Sequence, residues 1–424
     1  MILFLFKGLI RDRSRSLFPF LTVVIGVMLT VLLYSWIKGA QTNFIDSSAK
    51  FSTGHVKVMS RAYALESDQM PNDLAYLGIE QLVQKLNRDF PSMHWTPRIR
   101  FGGLLDVPDS RGETRAQGTM AGLALDLFSE DSIEWDILDL EKALVRGRLP
   151  DNPGEVVLSE DFARGLGIKE GETATLLSST MYGSMAMENF KVVGTIRFGV
   201  TALDRGAMIA DISDVRKALD MEDAAGEILG FFDDYVYRNT RAEAVMGAFN
   251  AKYTDNDDEF SPIMKTLYLQ AGLADLLEMF KVFSAVIIIV FLSAMSIVLW
   301  NAGLMGSLRR YGEIGIRLAM GESNMHLYCS LIGESLIIGF FGTIAGTVLG
   351  LGVAYYLQIY GFDIGNIMKN ASLMLSNVIR AQVTPFSYVI GFIPGFAATF
   401  LGTSIAGIGI FKRQTARLMK EMET

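Results

Sequence analysis

The sequence is poor in the residues that build metal and redox centres. Its one cysteine, Cys329, excludes an intrachain disulfide and a cysteine-rich zinc site. Its three histidines, His55, His94 and His326, are too few and too scattered for a histidine metal cluster. No G-x-x-x-x-G-K-[ST] stretch occurs, so this sequence carries no P-loop of its own for ATP. H-E-x-x-H, G-x-S-x-G and C-x-x-C are missing as well, which removes the common hydrolase and thiol-redox signatures. Positive charge is in deficit: 38 Lys and Arg stand against 46 Asp and Glu, for a net charge of -8. A nucleic-acid binder needs a basic stripe, and that balance offers none. Half of the residues are apolar and mean hydropathy is +0.31, which excludes a disordered chain.

Charge is also missing locally. Residues 17–37 read LFPFLTVVIGVMLTVLLYSWI and 282–300 read VFSAVIIIVFLSAMSIVLW. Residues 331–357 carry one charge, Glu334, and residues 385–411 carry none. A bilayer core takes about 20 apolar residues in a helix. All four runs are therefore expected to be transmembrane helices, the alternative being unusually apolar buried helices. Basic residues flank them on one side: Lys7, Arg11, Arg13 and Arg15 before the first, Arg309, Arg310 and Arg317 between the second and third, and Lys412, Arg413, Arg417 and Lys420 after the fourth. That bias is expected to place both termini on the cytoplasmic side. The first run exceeds the roughly 7 to 15 residues of a cleavable signal core, so it reads as an uncleaved anchor. Residues 1–16 are expected to form an amphipathic helix on the cytoplasmic face, or to extend the first span. Residues 412–424 form a cytoplasmic tail.

Residues 38–267 form a large domain on the far side of the membrane, followed by a stalk helix over 268–281. From Lys38 to Lys281 there are 25 basic and 39 acidic residues, so most of the acidity is external. The pattern is α+β. His55–Met59 alternates like a strand with one buried face, and Glu155–Leu158, Thr173–Leu177, Asn189–Arg197 and Ala207–Ala210 are further strands. Ser159 is placed to cap a short helix that Gly167 stops. Ser213 is placed to cap a helix through Leu219, and Arg241–Tyr253 reads as helical. The acidic run Asp255–Glu259 lacks the glycine and spaced glutamate of a calcium loop and reads as a solvated turn. From Tyr268 onward Leu269, Leu273, Leu276, Leu277 and Phe280 recur at helical spacing, either as one rod into the second span or with a hinge at Gly272.

Within the spans, Gly342, Gly346 and Gly350 repeat every fourth residue, and Gly391 and Gly395 repeat the pattern next to Pro394. Such stripes let helix backbones approach closely, within one chain or between subunits. Glu334 is either a lumen or partner-binding residue or lies near the inner headgroups. Residues 358–384 form an external loop. The loop 301–330 contains SLRRYGEIGIRLAMGES. Ile314 and Leu318, and Ile316 and Met320, are apolar pairs four apart, and Glu313 precedes Arg317 in the order that favours a helical ion pair of about 0.3 kcal/mol. Gly321 can end that helix, and the next can begin at Glu322 or Ser323.

The run Arg310, Glu313, Ile314, Gly315, Ile316, Arg317, Ala319, Met320, Gly321 strongly resembles the coupling helix of the MacB, FtsX and LolC–LolE superfamily of ABC transporter permeases. GRLPDNPGEVVLSEDFARGLGIKEGETATLL with FKVVGTI is similar to that family's periplasmic core domain. The resemblance implies a four-helix membrane protein with a MacB-like periplasmic domain between helices one and two. It implies a permease subunit, not an enzyme, working by mechanotransmission. The chain would bind no cofactor; ATP and Mg would sit on a cytoplasmic ATPase dimer. The expected partners are that ATPase, a second permease chain, identical or related, membrane lipids, and a periplasmic carrier or adaptor. The short N-terminal segment is closest in layout to LolC and LolE, which implies extraction of lipoproteins or other amphiphiles. MacB-like efflux of peptides or drugs, and FtsX-like control of a cell-wall hydrolase, are the alternatives.

Overall fold

A computed structural model describes residues 13–270, 272–308, 316–363 and 378–412. The expected surface helix before Arg13, most of the 358–384 loop, nearly all of the tail, and Arg310, Glu313, Ile314 and Gly315 lie outside the described residues. The chain divides into two compact units, one built on the apolar helices and one on Asn43–Glu278.

Among the described residues, four helical segments are long and apolar enough to cross a membrane. Helix α1 runs Arg13–Ser48 and ends in a π turn, Ala49–Thr53. Pro19 lies inside α1, beyond its first described turn, where it has no amide to offer the carbonyl four residues earlier.

The external unit is a mixed sheet. Its strands are β1 (Val56–Ser60), β2 (Met93–Pro108), β3 (Thr114–Leu125), β4 (Leu144–Gly147), β5 (Glu155–Ser159), β6 (Thr173–Ser179), β7 (Met185–Ile196), β8 (Ala207–Asp211), β9 (Glu227–Phe232) and β10 (Pro262–Thr266). The order is β10-β1-β9-β2-β3-β8-β5-β7-β4, and β6 pairs with both β2 and β7. That second pairing closes β2, β3, β8, β5, β7 and β6 into a ring. Phe101, Leu105, Met120, Val156, Leu158, Ala174, Leu176, Phe190, Val192 and Met208 from those strands are buried in one core cluster. Closure removes free edges from the strands that carry this core. Two glycines make room for aromatic rings across the sheet. Gly122 faces Phe101, where a Cβ would come within 2.1 Å of the ring, and Gly230 faces Trp95, where it would come within 2.4 Å.

Helices cover this sheet: α2 (Ile79–Asp89), α3 (Glu134–Ile137), α4 (Glu160–Leu166), α5 (Ile212–Ala218) and α6 (Asn239–Tyr253). Helix α4 stops at Gly167, with φ +64, as the sequence indicates. Three local expectations need correction. β1 is buried on both faces, with β9 and β10 paired to its two edges, so Lys57 meets Glu227 rather than water. Ser159 occupies the N-cap position of α4 but makes no capping hydrogen bond. The cap of α5 is Asp211, whose carboxylate accepts from the Ser213 amide at 2.8 Å; Ser213 is already inside the helix.

A 3-10 turn, Leu267–Leu269, precedes helix α7 (Leu273–Leu308). Between them Gly272 adopts φ +64, so the helix starts after this glycine, not at Tyr268. Helix α8 spans Asn324–Tyr360. The fourth apolar segment opens with a 3-10 turn, Pro385–Tyr388, widens into a π turn, Ile393–Ala398, and continues as α9, Thr399–Lys412. The π turn begins beside Pro394, which has no amide to donate.

Candidate coupling segment and helix seam

The described part of the loop between α7 and α8 folds by recognisable end signals. Residues 316–319 are helical. Gly321 at φ +91 lets its amide reach the Leu318 carbonyl at 3.0 Å and the Glu322 amide reach the Arg317 carbonyl at 3.1 Å. That pair of bonds is a Schellman closure. Ser323 then caps α8, accepting from the His326 amide at 3.3 Å. The side chains reinforce the turn. Arg317 grips Glu322 with both arms, Nε to Oε2 at 2.7 Å and Nη2 to Oε1 at 2.9 Å. Glu313, the partner expected for Arg317 from the sequence, lies outside the described residues. Leu318 packs on Leu327 and Leu331 of α8 and so anchors the turn inward. Ile316, Ala319 and Met320 are left exposed, and Met325 is exposed at the start of α8. The result is a rigid turn presenting apolar side chains, which suits docking against another protein surface.

The glycine stripes meet inside this chain. A Cβ on Gly342 would lie 2.8 Å from Val23 Cγ1; one on Gly346 would lie 2.6 Å from the Val24 carbonyl oxygen; one on Gly350 would lie 3.0 Å from that of Met28. Helix α8 thus lies directly on the α1 ridge Val23, Val27, Val31. Gly391 and Gly395 close on the same Val27, at 2.5 and 2.4 Å for a hypothetical Cβ, and on Thr347 and Thr343. In lipid, such contact is the main force joining helices, because lipid tails are as apolar as leucine. The seam is lined by glycine, valine and threonine. Thr399 Oγ1 donates to the carbonyls of Gly395 at 2.5 Å and Phe396 at 3.0 Å, taking up acceptors that the π turn displaces.

The external unit holds buried ion pairs that the sequence does not announce. Arg98 and Glu134 are both fully buried and bidentate, Nε to Oε1 at 2.8 Å and Nη2 to Oε2 at 2.7 Å. Lys57 Nζ lies 2.8 Å from Glu227 Oε1. Burial pushes the Lys57 ammonium down, opposed by Glu227. Burial alone would raise Glu160, but hydrogen bonds from Thr195 and Arg146 hold its carboxyl below the usual range. The Arg148 guanidinium holds Glu155 down to about 2. His55 is neutral: burial lowers it to about 4, and its Nδ1 accepts the Phe232 amide at 3.0 Å. These groups knit strands and helix ends together. Among the described residues, no cluster of three His, Cys, Asp or Glu is placed to hold a metal ion.

Two family models match the chain. A MacB-like periplasmic core domain matches residues 16–255, and an FtsX-like permease C-terminal domain matches 285–415. LolC of Xylella fastidiosa, a lipoprotein-releasing system transmembrane protein, is 24% identical over 214 residues, covering 49% of each chain. MacB of Hyphomonas neptunium, a macrolide export ATP-binding/permease protein, is 26% identical over 164 residues, covering 39% of this chain and 24% of that one. The matched segment spans about half of the LolC relative's length and about a quarter of the MacB relative's. The crystal structure of the periplasmic region of MacB from Actinobacillus actinomycetemcomitans superposes with a TM-score of 0.35 at 14% identity, over 51% of this chain and 90% of that one.

Proposed function

We propose, from the premise that this chain belongs to the ABC transporter permease superfamily of MacB, FtsX and LolC, that it carries ATP-driven motion across a bacterial inner membrane to its external α+β domain. The observation that carries this reading is helix length. Helices α1, α7 and α8 contain 36, 36 and 37 residues. At 1.5 Å per residue each is about 54 Å long, some 24 Å more than the roughly 30 Å hydrocarbon core. The excess is rod outside the membrane, in a form that transmits displacement. The tight seam of glycine, valine and threonine favours helices that move as a block over helices that line a water-filled path.

In this reading a cytoplasmic ATPase dimer binds ATP and Mg and supplies the force. It docks on the segment Arg310–Gly321, where Ile316, Ala319 and Met320 present the apolar contact. Two permease chains are needed per ATPase pair. Both termini are cytoplasmic, following the basic flanks. The cargo is a lipoprotein or another amphiphile in the outer leaflet, received by a periplasmic carrier; the LolC relative supports this choice.

The test is purification from the native membrane. An ATPase should co-purify with the wild-type chain and be lost with Glu313→Arg or Gly315→Trp, while the variants keep wild-type thermal unfolding. An adaptor and outer-membrane duct in the complex would favour efflux instead, and a cell-wall hydrolase would favour regulation. Retention of full ATPase coupling by both variants would refute the docking assignment. Topology is checked with Glu130→Cys, an exposed site, in a Cys329→Ser background. An impermeant thiol reagent should label it in intact spheroplasts; labelling only after lysis would reverse the orientation.

A further inference from the structure

We infer that the π turn Ala49–Thr53 is a joint clamped by Arg98 and Gln270, with Gln270 the positioning residue that makes the feet of α1 and α7 move as one lever. The inference deepens the transmission reading above and rests on it for its functional part. A π turn closes each hydrogen-bonded ring one residue later than an α turn, so it widens the helix and displaces carbonyls from the regular ladder. Here the Gly54 amide returns to the Ala49 carbonyl at 2.9 Å. Two other carbonyls of the turn are captured from outside it. Arg98 Nη1 donates to the Lys50 carbonyl at 2.7 Å, and Gln270 Nε2 donates to the Thr53 carbonyl at 3.2 Å.

Both captors are themselves fixed. Arg98 is held by both oxygens of buried Glu134, which also accepts from Thr96 Oγ1 at 2.7 Å. Gln270 is 4% exposed, and the same Nε2 faces the carbonyls of Thr266 at 3.1 Å and Lys265 at 3.4 Å. Its Oε1 is buried with no partner. An amide that leaves its acceptor unpaired in the interior is oriented by its donors, since the bonds it makes must outweigh the one it forgoes. Gln270 also stands just before Gly272, whose positive φ starts α7. The surrounding cluster of Phe44, Ala49, Leu267 and Leu277 is apolar, and such contacts carry no direction that would fix register. The donors of Gln270 supply that direction, joining the foot of α7 to the foot of α1, while Arg98 joins α1 to the sheet.

The experiment uses the full chain with its ATPase in lipid nanodiscs, in a Cys329→Ser background. Spin labels at Asp46→Cys and Asp275→Cys, both exposed positions, report the distance between the two feet by pulsed electron resonance. Gln270→Met removes the donors at similar volume; Gln270→Glu sets acceptor oxygens against three carbonyls. The expected result is a narrow distance distribution with Gln270, a broader one with Met, and the broadest with Glu. Release of a fluorescent triacylated lipopeptide per ATP hydrolysed should fall at least about fivefold in Gln270→Met, the low end of common coupling effects. ATP hydrolysis and the thermal midpoint should stay near wild type, which a merely destabilising change would not leave untouched. Should Gln270→Glu fail to fold, Gln270→Met alone decides. An unchanged distribution overturns the clamp, whatever the chain transports. A broadened distribution with unchanged release per ATP overturns its part in transmission. If no ATPase binds the wild-type chain, the transmission reading fails while the distance measurement on the clamp still runs.

Discussion

Gly346 provides the sharpest test of the seam. A methyl group there would sit 2.6 Å from the Val24 carbonyl oxygen and 2.8 Å from Val27 Cβ. Neither atom can rotate away, because one belongs to the α1 backbone and the other is fixed to it. Gly346→Ala must therefore separate α1 from α8 or bend one of them, at about 1–3 kcal/mol for overpacking of this kind. Gly352 lies on the same helix with nothing within 4 Å of its hypothetical Cβ. Gly352→Ala should cost nothing from sterics and gain up to about 1 kcal/mol from helix propensity. Gly395 separates the mechanism further. Its hypothetical Cβ lies 2.4 Å from Val27 Cγ2 and 2.4 Å from Thr343 Oγ1, both side-chain atoms. Val27→Ala should therefore rescue part of the loss from Gly395→Ala and little of the loss from Gly346→Ala. Thermal unfolding of the three glycine variants and the two double variants in nanodiscs measures this coupling directly. Equal stability of Gly346→Ala and Gly352→Ala would refute the close approach of α1 and α8.

The buried pair gives a second prediction: Arg98→Met should destabilise the external unit by about 3–5 kcal/mol, because Glu134 is left charged and unpaired. Arg98→Met with Glu134→Leu should recover most of that loss in the same denaturation assay. A third concerns pH. His55 titrates at about 4 when folded against 6.5 when unfolded, so between these values the unfolded chain binds the proton first. Its contribution is complete above pH 6.5 and falls by about 3 kcal/mol as the pH drops to 4. His55→Asn should flatten that part of the stability profile. A fourth concerns the loop turn: Glu322→Ala should weaken ATPase docking by releasing Arg317 from the turn, while Glu322→Asp shortens the grip and should fall between, as read by co-purification.

Much of this was legible because it is written in local pattern. The apolar runs appear as long helices, Gly167 and Gly321 stop helices where their positions indicate, and α8 begins at Asn324, within two residues of the start expected at Glu322 or Ser323. What stayed hidden depends on chain segments far apart in sequence. Lys57 sits in an alternating stretch and so reads as solvent-facing, but its strand lies inside the sheet, between residues near 228 and 264, and its side chain is buried against Glu227. Glu134 and Arg98 look like ordinary surface charges until β2 and α3 are brought together. Ser213 looked like a cap because serine caps helices; Asp211, two residues earlier, wins because a carboxylate accepts an amide proton more strongly. The ring closure through β6 has no sequence signature, since pairing partners on its two sides come from residues 104–106 and 185–191.

The same distinction separates the two ends of the candidate mechanism. The turn proposed for docking is short and local: a Schellman closure, a serine cap and one bidentate ion pair define it within residues 317–326. That is why motif reading reaches it. The outer joint is assembled from Lys50, Thr53, Arg98, Glu134 and Gln270, five positions spread over more than half of the chain. A device that converts helix motion into domain motion has to be of this second kind. It must bind helix, sheet and second helix at once, so its parts come from each. Local contacts can present a surface to a motor, but only contacts between distant segments can make separate elements respond together. Polar contacts suit the joint better than apolar ones, because a hydrogen bond loses most of its strength when bent or stretched, whereas a packed apolar face tolerates sliding.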